Sequence, residues 1–220
     1  MANGHFSSCS KTHDCLCEIK RYLLIFGIAI LILAIEIIGG IISQSLALLA
    51  DAGHVFTDTS ATTISIIVAY YVRYGANEEH TRKIGGYINA LLLGCITIWI
   101  AIEAIDRFQN PREIGSITMI TVAVLGTIGN YIQHKIIESA NEEHVTHESM
   151  KLHIRSDLLQ SMGVVFGGLL IWITNWTTID PIISIAIALW MGKWTWNIFH
   201  KLWSGKYDNN NHHCHNHHNN

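Results

Sequence analysis

The sequence predicts an all-α membrane protein of six transmembrane helices with both termini on the cytoplasmic side. Three observations predict it. The chain has 220 residues, of which half are apolar and only 14% are charged, against about 25% in soluble domains. Six stretches are long and apolar enough to cross a bilayer, which takes about 17–25 residues each. The basic residues fall almost entirely on one side of those stretches. A net charge of −3 without a basic stripe argues against nucleic-acid binding. The apolar content argues against a disordered chain.

The first span, 22–42, carries one charge, Glu36. It is too long for the apolar core of a cleavable signal and has no small-residue cleavage site close behind, so it is expected to be retained. The second, 46–72, holds Asp51, His54 and Asp58 in its first half and is uncharged in its second. The third (84–102), fourth (116–133) and fifth (158–179) hold no charge, and the sixth (181–199) only Lys193. With six spans, twelve of the fourteen Lys and Arg flank the side bearing the termini, while Arg107 and Arg112 alone lie on the other. That bias places the termini in the cytosol. Trp172 and Trp176, and again Trp190, Trp194, Trp196 and Trp203, fit interfacial anchors at the two ends of the last helical pair. Domain organisation follows: a polar Cys- and His-containing tail over 1–20, a membrane domain over 21–203, and a His/Asn-rich tail over 204–220.

Charged groups inside a bilayer are expensive, so each is read first as functional. Two of them repeat one pattern: His54-Val-Phe-Thr-Asp58 in the second span and His153-Ile-Arg-Ser-Asp157 at the opening of the fifth. Residues i and i+4 of a helix share a face, so each pair presents an imidazole beside a carboxylate. Two such helices packed together converge two nitrogens and two oxygens, a donor set that suits tetrahedral zinc. Two carboxylates also offset a divalent charge in a low-dielectric setting. The bland alternative, a surface hydrogen bond or a capping cluster, serves for one pair. Two identical pairs at membrane segments favour a metal site of His54, Asp58, His153 and Asp157. The lack of thiolate suits capture followed by release.

These residues resemble those of the cation diffusion facilitator family. The resemblance runs over about 20–203 and is carried by Ser45-Leu-Ala-Leu-Leu-Ala-Asp-Ala-Gly-His-Val-Phe-Thr-Asp58, by Glu103-Ala-Ile-Asp-Arg-Phe-Gln-Asn-Pro111, by His153 to Asp157, and by Asp180-Pro181 at the start of the sixth helix. It implies efflux of divalent metal ions, zinc foremost, as transported substrate. It also implies proton antiport by alternating access, a zinc site between helices two and five, and a homodimer in a lipid bilayer. Iron, cobalt, cadmium and manganese stay open as substrates, since donor type alone does not set selectivity. The family usually adds a cytosolic domain after the sixth helix, and none is expected within 204–220. The third helix departs from the family pattern at Ile84-Gly-Gly-Tyr-Ile-Asn-Ala90. A bacterial inner membrane is the expected setting.

Other residues are weaker candidates. Asp51, three residues before His54, is placed to orient that imidazole or to make a plain polar contact. Glu36 and Glu103 are candidates to pair with Arg107 or to carry protons; Glu103 stands four residues from Arg107, which favours an ion pair there. Asn89 and Asn130 read as interhelical hydrogen bonders. Glycines in the first and fifth spans permit close helix approach or sliding. The tail residues His212, His213, Cys214, His215, His217 and His218 could gather metal in the cytosol, and His13 to Cys17 is a weaker version; a purification tag, chance or lipidation are the alternatives. No enzyme is expected: a membrane metalloprotease needs His-Glu-x-x-His, whereas His147-Glu148 is followed by Ser-Met-Lys. An accessory or metal-buffering subunit of a larger transporter is the rival within binding proteins.

Overall fold

The computed structural model describes residues 11–75, 77–138 and 145–203. They form six helices: α1 (Lys11–Ser43), α2 (Leu46–Arg73), α3 (Glu78–Gln109), α4 (Ser116–Glu138), α5 (Val145–Thr174) and α6 (Ile179–Trp203). All six are long and apolar enough to cross a membrane. There is no strand among the described residues. Short connections make sequential helices antiparallel. The two-residue link between α1 and α2 turns on Gln44 at φ 56°, and α5 stops where Asn175 takes φ 54°. Ser45 and Asn77 accept from backbone N–H groups of the first turns of α2 and α3, as helix starts require.

The bundle pairs α4 with α5 and α3 with α6; α1 lies against α4 and α2, and α2 bridges to α3, α6 and, briefly, α5. The main core sits towards the end carrying the 43–45, 110–115 and 175–178 connections (the turn end) and includes Leu46, Leu48, Ile100, Met119, Val164 and Met191. Ile25, Ile137 and Ile154 pack separately nearer the termini. Many large apolar side chains, Leu31, Ile66, Leu91, Leu159, Phe166 and Leu189 among them, point outward. In a membrane that outer face meets lipid, so only packing, small residues and polar contacts distinguish inside from outside. Gly85 shows how close the helices come: a Cβ there would stand 2.9 Å from Val68 and 3.0 Å from Ile64, so the unusual Gly-Gly of the third helix seats α3 on α2.

A polar clamp closes the turn end. Asp180, fully buried at the start of α6, accepts from the Ser45 hydroxyl at 2.6 Å, from Leu46 N–H at 2.8 Å and from Ala47 N–H at 3.1 Å. The first helical N–H groups have no partner within their own helix, so α6 caps α2. Arg107 of α3 reaches Asp180 at 3.4 Å, the Gln44 carbonyl, and Glu103 at 3.2 Å. Arg112 pairs with Glu103 and Asp106. The expected Glu103–Arg107 pair is thus part of a larger network, and Arg107 is engaged there rather than with Glu36.

The helices run past the apolar spans read from the sequence; α1 starts at Lys11, inside the stretch read as a tail over 1–20, and the fifth boundary matters most for the site. The fifth helix spans Val145–Thr174 rather than 158–179. Its first turns are largely polar, which an apolar count does not see. His153 and Asp157 therefore lie two to three turns inside α5, not at its opening.

Candidate metal centre

The local sequence fixes the donors. On α2, His54 and Asp58 are one turn apart, with His54 Nε2 3.5 Å from Asp58 Oδ2. On α5, His153 Nε2 lies 3.6 Å from Asp157 Oδ2. Across the helices, His54 Nε2 stands 3.3 Å from Asp157 Oδ1, and His153 Nε2 3.3 Å from Asp58 Oδ2. The four side chains form a closed ring in which imidazole and carboxylate alternate. The imidazole rings sit across from each other, centroids 6.1 Å apart. Donor atoms of His54, Asp58 and Asp157 all lie within 4.8 Å of one another. Tetrahedral zinc at its usual bond lengths sets neighbouring donors about 3.3–3.5 Å apart; the four contacts around the ring are near that spacing, while His153 lies outside the group of mutually close donors.

The ring has an inner and an outer half. His54 and Asp157 side chains are 14% and 13% exposed, whereas Asp58 and His153 are 34% and 44% exposed. Cavities reach it from two sides. One of about 140 Å³ runs between α1, α2, α4 and α5, past Tyr22, Thr62 and Met150 to Asp58, His153 and Asp157. Another of about 110 Å³ lies between α2, α3, α5 and α6, bounded by His54, His153, Asn89 and Trp194.

Of its two expected roles, Asp51 fills that of the polar contact. Its oxygens accept from Gln160 at 2.8 Å and Ser161 at 3.0 Å, both on α5, and not from His54. Ser161 in turn accepts from Asn130 of α4 at 2.9 Å. Asp51 therefore ties α2 to the α4–α5 pair about one turn from the ring. Asn130 bonds between helices as expected. Asn89 differs: its Oδ1 is buried without a hydrogen-bond partner among the described residues. Gln160 and Ser161 were missed by the sequence reading; their only signal is polarity three and four residues after Asp157. Residues His212, His213, Cys214, His215, His217 and His218 lie outside the described residues, as do the side chains of His13 to Cys17.

Comparison with known proteins identifies the family of the chain. Residues 22–204 match the model of the cation efflux transmembrane domain. The chain is 35% identical over 186 residues to the zinc transporter ZitB of Escherichia coli, covering 81% of this chain and 59% of that protein. It is 35% identical over 167 residues to the metal cation efflux system protein CzcD of Cupriavidus metallidurans, covering 73% and 53%. It is 32% identical over 179 residues to a cadmium, cobalt and zinc/H(+)-K(+) antiporter of Bacillus subtilis, covering 77% and 58%. The chain thus spans between half and two-thirds of the length of these relatives.

Proposed function

The chain belongs to the cation efflux, or cation diffusion facilitator, family, and we propose that it exports divalent metal ions, zinc foremost, from a bacterial cytosol across the inner membrane. The observation that carries this reading is the alternating ring of His54, Asp58, His153 and Asp157 at 3.3–3.6 Å. Positive-inside bias sets the termini in the cytosol. The cavity past Tyr22 and Met150 is then the cytosolic approach, and half-exposed His153 and Asp58 are met first. Two carboxylates offset the ion's charge, and two imidazoles complete a donor set without thiolate. Metal ligands must be deprotonated, so protons and metal compete for the ring. Protons entering from outside displace the ion and reset the carrier.

The test is zinc flux into proteoliposomes with an acid interior, comparing the parent chain with Asp157→Ala. Gradient-dependent uptake lost in the variant supports an antiporter. Uptake intact in the variant refutes the site. Zinc bound by the parent without flux assigns the chain to a partner-dependent or metal-buffering role. Competition by cadmium, cobalt, iron and manganese in the same assay ranks the substrates.

A further inference from the structure

Glu36 of α1 is 0% exposed, and both its carboxyl oxygens are buried with no hydrogen-bond partner among the described residues. It lies seven residues before the end of α1, about 10 Å along the axis from the turn end. The ring is farther in: Asp58 is twelve residues from the start of α2, about 18 Å. Glu36 therefore stands between the ring and the face proposed as extracytoplasmic.

Its surroundings supply no cation. On α4 it meets Gly126, where an added Cβ would come 2.5 Å from Oε1. That contact leaves no room for a hydrated ion on this side. The charged groups it faces are Asp51 on α2 and Asp157 on α5, both acids. Arg107 is held by Glu103, Gln44 and Asp180. A bare carboxylate without donors, facing two other acids, costs several kcal/mol in a membrane interior. The neutral acid avoids most of that cost.

From this burial and packing we propose that Glu36 is a proton-carrying group of the exchange cycle, separate from the metal ligands. This rests on the transport reading above. With Asp157 unligated and negative, Glu36 keeps its proton. As a divalent ion enters from the cytosol it offsets the charge of Asp157, the Glu36 O–H bond breaks, and the proton crosses the ring to cytosolic water before the ion is seated. When the ion leaves outward, a proton from extracytoplasmic water re-forms that bond. One positive charge moves inward at Glu36 for each ion that moves out.

The experiment uses the full chain in proteoliposomes with an entrapped pH dye and radioactive zinc, comparing the parent with Glu36→Gln. Zinc–zinc exchange at equal pH reads the ring and the helix motion, and dye response per zinc reads the protons. The variant is expected to bind and exchange zinc while its proton count per zinc falls by about one. A merely structural role would lower exchange and leave that count alone, and this result overturns the proposal, as does a variant with the parent's full count. If the glutamine variant fails to insert, Glu36→Met, apolar and similar in length, takes its place and is read the same way. A parent that moves no zinc overturns the transport reading and this inference with it. A parent that exchanges zinc for protons while the variant keeps the full count overturns Glu36 alone.

Discussion

Replacing Asp180 with alanine tests the clamp at the turn end. The carboxylate is fully buried and accepts from the Ser45 hydroxyl at 2.6 Å, Leu46 N–H at 2.8 Å and Ala47 N–H at 3.1 Å. Leu46 and Ala47 are themselves fully buried, so no water replaces the lost acceptor. Each stranded N–H costs about 1–3 kcal/mol. Arg107 keeps Glu103 and the Gln44 carbonyl, so its charge is not left bare. The sum is about 2–6 kcal/mol, overlapping the cost of breaking a buried ion pair. Asp180→Asn keeps one acceptor oxygen and should lose about half as much. The assay is reversible unfolding in mixed detergent and denaturant micelles, where about 1.4 kcal/mol is a tenfold change in the equilibrium constant. The expected order of stability is parent, then asparagine, then alanine. An alanine variant within about 0.5 kcal/mol of the parent, the range of neutral surface changes, would refute the claim that α6 caps α2.

Two further outcomes follow from the ring and its support. Zinc affinity should fall as pH drops, because His54 and His153 bind metal only when unprotonated. Each proton released on binding contributes about a tenfold change per pH unit; calorimetric titration between neutral and mildly acidic pH reads it, and a flat profile contradicts the imidazole ligands. Asp51→Ala should weaken zinc binding by about tenfold by freeing Gln160 and Ser161 and loosening α5 against α2, measured by competition with a chelating dye. Unchanged affinity would mean that Asp51 does not set the spacing of the two helices.

The membrane made much of this fold legible. A bilayer demands long apolar segments, and the six helices were countable from composition alone. The four ring residues were equally visible, because one-turn spacing and the cost of burying charge are both sequence-local facts. The start of α5 was not visible: Val145 to His153 is polar, and nothing in hydropathy separates a polar helix extension from a loop. The partners of Asp180 were hidden for a different reason. A carboxylate capping a helix that begins 134 residues earlier is a tertiary fact, with no periodicity to betray it. Asp51 shows the same limit. Its position one turn from His54 suggested a direct contact, yet the packing of α5 supplied closer donors in Gln160 and Ser161. Glu36 was flagged by its charge as a partner of Arg107 or a proton carrier, and the first reading falls because Glu103, Gln44 and Asp180 hold that guanidinium.

The alternating ring has a kinetic consequence. Each Nε2 sits between two carboxylates at 3.3–3.6 Å, the reach of a long hydrogen bond and also the edge of a zinc tetrahedron. Imidazolium protons and a single divalent ion can therefore replace one another on the same scaffold without a rotamer change. On the proposed antiport reading, a faster carrier would be sought in the seams between α2 and α5, whose packing sets the spacing of the ring, rather than in its ligands.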